Sequence, residues 1–454
     1  MTQRAGDGYG ARPMLARPHR LAAFAVLAAA ACTPVERPPA PLDRFTFPTG
    51  LSLADGHLLV VSSNFDLTYE DDKGGTVMSI DTAASIAGST AITSAVRIPS
   101  FGGEIAVARK AACPALASDQ ALVPNRLSGE LFRLGLAADG ALSCGADCRI
   151  PITDPGEGDP FAVEVVCRNG TAKAYVGWLR TRTGSACSAS SSSTTCGVLS
   201  EIPLEPGGAD PVNGTVLVNS GGIRKLAYRD DLGLLFFLST GSRVGWIDLS
   251  GGCEIASSDT SCPAQSVELG SLLVGAEVRS IGFSSPGLPL RLYVTAKLFD
   301  PVAAASGVQN DVGGALMVLG LTPASSGGYD ARLLRTVPLG TGATELEVIP
   351  RAGKRDLVVV SVTDDGEVWF WDDEIGAVTG VIGRDAKGRP RAGTQPYGLA
   401  FEDLGTGVRP IRLYVGSFGD AVVSVWEVNP DDPDPLATYT DGTHGAELVT
   451  RIGE

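Results

Sequence analysis

The sequence predicts an all-β fold, a seven-bladed β-propeller of four-stranded antiparallel sheets, and three observations predict it. First, strand-like segments recur seven times in one order: a short alternating strand, a strongly apolar one, an aromatic or β-branched one, then a weaker one. Second, the chain carries 57 Gly and 29 Pro, as expected where many short strands are joined by many turns and long helices are absent. Third, 454 residues exceed the usual size of one core, yet 44% are hydrophobic and only 19% charged, so the chain folds and needs a repeat architecture or several domains to do so.

The blades follow in chain order. First strands contain Leu51/Leu53, Ile105/Val107, Val163/Val165, Leu226/Tyr228, Ile281/Phe283, Leu346/Val348 and Leu399/Phe401, spaced 53 to 65 residues apart. Second strands follow at Leu58 to Val61, Ala121 to Val123, Ala174 to Val176, Leu234 to Phe237, Leu292 to Val294, Leu357 to Val360 and Leu413 to Val415. Third strands run from Val77 to Ile80, Leu131 to Leu134, Val198 to Ile202, Val244 to Ile247, Leu316 to Leu319, Val368 to Trp371 and Val422 to Trp426. Fourth strands are less regular, as outer edges often are. A lone four-stranded sheet cannot cover both of its apolar faces, whereas seven packed radially bury each face against a neighbour. Two stacked sandwiches are the alternative fold.

Three segments precede or make up this body: residues 1–31 as a cleaved signal peptide, 32–42 as a tether, and 43–454 as the propeller. Arg12, Arg17, His19 and Arg20 come before an apolar run from Leu21 to Ala31 that ends in Ala29-Ala30-Ala31-Cys32. Eleven apolar residues reach about 16 Å as a helix, too short for a hydrocarbon core of about 30 Å. Small residues directly before a Cys resemble the lipobox of bacterial lipoproteins, although Ala29 stands where Leu is commoner. That resemblance implies diacylglycerol on the Cys32 thiol and an acyl chain such as palmitate on its freed amine, which together anchor the protein durably to a membrane. Thr33, following Cys32, is not the Asp that retains some lipoproteins at the inner membrane, so the expectation is an outer-membrane anchor in the cell envelope. Thr33 to Leu42 carries Pro34, Pro38, Pro39 and Pro41 and reads as an extended tether. Met14 is an alternative start to Met1.

Setting Cys32 aside leaves eight cysteines: Cys113, Cys144, Cys148, Cys167, Cys187, Cys196, Cys253 and Cys262. An even set in an exported chain reads as disulfides. Cys187 with Cys196 and Cys253 with Cys262 each bracket a short polar stretch; Cys144 with Cys148 forms a third local pair, leaving Cys113 for Cys167. Other connectivities stay open, as does a metal site, against which stand the lack of paired CxxC knuckles and the presence of only three His.

The stretches from Leu346 to Trp371 and from Tyr397 to Trp426, notably Leu413-Tyr414-Val415-Gly416-Ser417-Phe418 followed by Val423-Ser424-Val425-Trp426, resemble the lactonase-like and surface-layer-type propellers of bacteria. The resemblance implies the fold and, among activities, a calcium-dependent hydrolase; fold alone assigns no task. Insertions at Asn64 to Gly75, Arg180 to Cys196 and Leu298 to Gly314 lie between second and third strands of blades one, three and five, so they share one face. They carry oxygen ligands suited to Ca2+, Asn64, Asp66, Asp71 and Asp72 in the first and Asp300, Asn310 and Asp311 in the last, without EF-hand spacing. Glu104, Glu277 and Glu345 fall near the starts of blades and are placed at the channel mouth, or read as scattered solvated carboxylates.

Function classes narrow by exclusion. A net charge of -15 repels nucleic acid. No catalytic residue is assigned: His57 sits in an Asp55-Gly56-His57 turn, and no Gly-x-Ser-x-Gly elbow or phosphate loop occurs. Trp178, Trp246, Trp369, Trp371 and Trp426 are better read as packing than as a sugar-stacking surface. The expectation is a lipid-anchored, noncatalytic binding or scaffold module for an envelope protein or glycan, with a calcium-dependent hydrolase or a structural envelope component as alternatives.

Overall fold

A computed structural model describes residues 37–87, 92–152, 159–180, 182–183, 195–205, 212–218, 221–250, 264–269, 272–273, 275–300, 311–325, 328–405, 407–436 and 444–453. Among the described residues thirty strands form seven antiparallel sheets, accompanied by one short helix. Blade 1 holds β1 (Phe47–Ala54), β2 (His57–Ser63), β3 (Gly75–Asp81) and β4 (Ile92–Ile98), with α1 (Thr82–Ile86) before β4. Asp81 caps that helix by accepting from the backbone N–H groups of Ala83 and Ala84. Blade 2 holds β5 (Ala106–Ala108), β6 (Asp119–Asn125), β7 (Glu130–Leu136), β8 (Leu142–Ser143) and β9 (Arg149–Pro151). Blade 3 holds β10 (Pro160–Arg168), β11 (Thr171–Trp178), β12 (Arg182–Thr183), β13 (Thr195–Pro203) and β14 (Val212–Val218). Blade 4 holds β15 (Ile223–Arg229), β16 (Leu234–Ser239), β17 (Arg243–Asp248) and β18 (Gln265–Glu268). Blade 5 holds β19 (Ala276–Phe283), β20 (Arg291–Phe299), β21 (Asp311–Pro323) and β22 (Tyr329–Leu339). Blade 6 holds β23 (Ala343–Ile349), β24 (Leu357–Val362), β25 (Glu367–Asp372) and β26 (Ala377–Ile382). Blade 7 holds β27 (Pro396–Asp403), β28 (Ile411–Ser417), β29 (Val422–Val428) and β30 (Ala446–Ile452).

The ring closes through side-chain packing, because blade 1 is built wholly from the first four strands and blade 7 wholly from the last four. Phe45, Leu58, Val60, Met78 and Ile80 pack against Tyr414, Val423, Val425 and Ile452 in one buried cluster that joins the two ends of the chain. Six further clusters sit one at each of the other blade interfaces, for example Leu357, Val359 and Phe370 with Leu413, Val415 and Trp426 between blades 6 and 7. This closed set rules out two stacked sandwiches, which would have one shared core. The second strands are apolar on both faces because each face meets a neighbouring blade; β24 is Leu-Val-Val-Val-Ser-Val and buried throughout. Trp178, Trp246, Trp371 and Trp426 are buried, as packing requires.

Polar staples fix the angle between blades. Asp356 accepts from Ser285 N at 3.0 Å, Asp373 accepts from Tyr293 Oη at 3.0 Å, and Ser361 Oγ donates to Tyr397 O at 3.0 Å. Arg351 and Asp372 form a buried bidentate pair at 2.6 and 2.7 Å. Two disulfides join described residues. Cys113–Cys167 ties the loop after β5 to the end of β10 across blades 2 and 3, and Cys144–Cys148 closes the loop between β8 and β9. Cys32, Cys187, Cys253 and Cys262 lie outside the described residues, and Cys196 is described only by its backbone within β13. The compact unit begins at Pro39: Ala40 is buried, donates its N–H to Lys73 O at 2.9 Å and accepts from Arg97 Nε at 2.8 Å. No helix of the described residues is long and apolar enough to cross a membrane.

Candidate functional site

The innermost strands share a feature that alternation alone does not reveal. In β1, β10, β15, β19, β23 and β27 the register against the second strand slips near the start, leaving unmatched Thr49, Phe161, Arg224, Arg279-Ser280, Thr344-Glu345 and Tyr397-Gly398. A bulge bends its strand and re-aims the extra side chain. Here the re-aimed side chains Thr49, Phe161, Arg224, Arg279, Thr344, Glu345 and Tyr397 all line one end of the central channel.

That end, the upper one, is where second strands hand over to third strands. It opens into a chamber of about 370 Å³. Its rim is aromatic: the Phe65 ring lies 5.4 Å from Phe101 and 5.2 Å from Phe418, and Phe418 lies 4.8 Å from Phe47. Phe65, from the blade 1 insertion, is 37% exposed, and Phe161 and Leu179 line the chamber opposite. Phe101 and Gln395, both at this mouth, hold φ of 63° and 55°, a left-handed backbone that is costly for side chains of their kind.

The chamber floor is charged. Arg224 and Arg279 both reach the same oxygen of Glu277, Oε1, at 2.9 and 3.0 Å. Two guanidiniums thus share one carboxylate, and the buried Nε of each makes no hydrogen bond. Burial, followed by the neighbouring Arg224, lowers the Arg279 pKa against the pull of Glu277. Burial, then Glu345 and Glu104, pushes the Tyr397 phenol up to about 12, so it stays a proton donor.

A triad partitions the channel. Lys225 Nζ lies 2.7 Å from Glu104 Oε1 and 2.9 Å from Glu345 Oε2, to which Ser280 Oγ also donates at 2.9 Å. Burial acts to lower the Lys225 pKa, but the two carboxylates outweigh it and hold the ammonium well above its ordinary value. Burial pushes Glu104 up to about 7, with Lys225 opposing and Glu345 adding. Beyond the triad a lower chamber of about 630 Å³ opens where first strands turn into second strands. Glu164 and Glu347 line it, each pushed by burial to about 7.

The carboxylates placed at the channel mouth are therefore in the channel: Glu104 and Glu345 in the partition, Glu277 behind the arginine pair. The oxygen-bearing residues of the two insertions take the following places. Asn64 is fully buried and uses its amide inside its own loop, donating to Tyr69 O and Ser100 Oγ at 3.0 Å each and accepting from Tyr69 N at 3.2 Å. Asp66 caps Thr68, accepting from its N and Oγ1 at 3.1 and 2.6 Å. Asp71 accepts from Ser100 N through its backbone carbonyl, and Asp72 is 4.0 Å from Lys73. These hydrogen bonds tie the loop to its flank. Asp311 and Asp364 share Lys297, at 3.5 and 3.0 Å; Asp300 follows β20, and Asn310 lies outside the described residues. Among the described residues no three His, Cys, Asp or Glu side chains are arranged to hold a metal. His57 ends a turn in which Asp55 and Gly56 hold φ of 45° and 79°, the hairpin geometry that Asp-Gly favours.

Reading from sequence missed Arg224, Lys225, Arg279, Tyr397 and the phenylalanine rim. The available signal was a charged residue at the head of several otherwise apolar first strands.

No family model matches the chain and no curated protein does. Solved structures do. Hydrazine synthase of Kuenenia stuttgartiensis matches with a TM-score of 0.55 at 14% identity, over 88% of this chain and 99% of that one. The β-propeller domain of Cps50 (Swd1) from Myceliophteria thermophila matches with a TM-score of 0.51 at 10% identity, over 86% and 98%. At such identities the likeness shows the fold alone, and what it shows is that this chain is a seven-bladed β-propeller.

Proposed function

We propose that this chain is a lipid-anchored binding module of the bacterial cell envelope, which takes an envelope protein or glycan at the upper mouth of its channel without turning it over. The observation that carries the reading is the phenylalanine rim around an open chamber with a charged floor: apolar rings left at a mouth, on a scaffold whose other large side chains are mostly buried, mark a contact surface. Strained residues at that mouth favour the same face. The apolar run ending at Cys32 supports export and anchoring.

Photo-crosslinking in intact cells tests both parts. A photoreactive residue at Gln395, exposed at the upper mouth, is compared with one at Asn169, exposed in the β10–β11 turn on the opposite face. The reading expects a discrete adduct from position 395 only, lost in Phe65→Ala/Phe418→Ala, and a shift of the protein out of the membrane fraction in Cys32→Ser. Equal adducts from both positions contradict the binding face. Unchanged fractionation of Cys32→Ser contradicts the anchor.

A further inference from the structure

Resting on the reading of the upper mouth as the binding face, we infer that its chamber is a site for a carboxylate carried on an aromatic or apolar body. The carboxylate seats on Arg224 and Arg279, and the body lies against Phe65, Phe161 and Phe418.

Five observations carry this. The chamber, at about 370 Å³, falls in the lower part of the range for small-ligand pockets, ~300–1,000 Å³. Its arginine pair has one carboxylate oxygen between two cations, 2.9 and 3.0 Å away. Glu345, which also lines the chamber, is held by Lys225 and Ser280 at 2.9 Å each, so Glu277 is the carboxylate that the arginine pair shares and that an incoming anion joins. Each guanidinium carries five N–H donors in a fork that matches a carboxylate, and the Nε of both is buried without a partner. Both side chains are mostly withdrawn from solvent, 19% and 25% exposed, so a bond formed there is screened less than one on the surface. Finally, the rim above is made of rings, and the other arginine lining the chamber, Arg126, is spent on Asp159 at 2.6 and 3.2 Å. Bare inorganic anions would leave those rings unused.

Such a group has two sources: a free aryl carboxylate, or the terminal carboxylate of a protein chain ending in an apolar residue. Isothermal titration of the full chain in detergent separates them. The probes are 2-naphthoate and its neutral amide, and a short peptide ending in phenylalanine as the free acid or the amide. The inference expects each acid to bind at least about tenfold more tightly than its amide, the value of one charge-assisted pairing. Binding by 2-naphthoate but not the peptide acid assigns the free molecule; the reverse assigns the chain terminus. Arg224→Gln and Arg279→Gln each abolish the preference for the acid, while Phe65→Ala/Phe418→Ala weakens acid and amide alike. The acid-to-amide comparison uses the unaltered protein, so it holds even where a variant fails to fold.

Equal binding of acid and amide overturns the inference, as does inorganic phosphate competing as strongly as 2-naphthoate. If no probe binds while position 395 still crosslinks, the inference falls and the binding face stands. If neither occurs, both fall.

Discussion

Replacing Lys225 by Met tests whether the triad holds the channel together. The substitution keeps an unbranched side chain but leaves Glu104 and Glu345 facing one another without the ammonium that now lies 2.7 and 2.9 Å from them. Removing one partner of a buried ion pair costs about 3–5 kcal/mol. These side chains are 22%, 14% and 13% exposed, so residual solvation brings the expected cost below that range, to about 2–3 kcal/mol. Unfolding entropy of about 2.1 cal/mol/K per residue makes one kcal/mol equivalent to about 1 °C in a chain of this length, so Tm falls by about 2–3 °C at pH 8. The sign with pH follows from linkage. Without the ammonium, which lowers the Glu104 carboxyl against burial, the native state holds a proton on Glu104 that the unfolded chain releases, so the variant loses stability as pH rises. The deficit therefore shrinks to about half at pH 5. Calorimetric melts of both proteins at the two pH values supply the assay. Adding Glu104→Gln and Glu345→Gln, which removes the charges together, restores most of the loss. An unchanged Tm at pH 8, or a deficit identical at both pH values, refutes the reasoning.

Three further outcomes follow from the same structure. Glu164 and Glu347 have native pKa values raised by burial from 4.5 to about 7, so stability is greatest below about 4.5 and is lost as pH rises through 7; Glu164→Gln/Glu347→Gln gains about 1–3 kcal/mol per site at pH 8 and nothing at pH 4.5, read from melts across that window. Cys113→Ser/Cys167→Ser, which opens a bridge of sequence separation 54, costs about 4 kcal/mol by loop closure, against about 2 kcal/mol for Cys144→Ser/Cys148→Ser with separation 4; denaturant midpoints rank them. Asn64→Ala leaves Tyr69 N and Ser100 Oγ without their buried partner and costs about 2–3 kcal/mol, with faster proteolysis of the blade 1 insertion as a local readout.

The blades were legible because each second strand is apolar on both faces and each third strand carries large or β-branched residues, a pattern that survives without any contact information. Leu357 to Val360 and Leu413 to Val415 read as buried strands, and they are strands buried on both sides. The pairing of Cys144 with Cys148 was legible from proximity, and that of Cys113 with Cys167 by elimination. The site was not, for two reasons. Bulges break the two-residue alternation on which strand reading depends, so Arg224 and Arg279 lie on the channel side although their neighbours suggest otherwise. The triad also joins Glu104, Lys225 and Glu345, of which the last two stand 120 residues apart, a meeting that ring closure alone produces. In the first insertion Asn64 and Asp66 hydrogen-bond groups of their own loop, as Asn and Asp do in tight loops.

Amide hydrogen exchange of the full chain with and without saturating 2-naphthoate locates binding without altering a residue. A carboxylate site in the upper chamber predicts added protection in residues 64–67, 223–225, 394–398 and 417–420 around the upper mouth, and none at the lower mouth. Protection centred instead on residues 106–112, 163–167 and 346–348, which line the lower chamber, would contradict it.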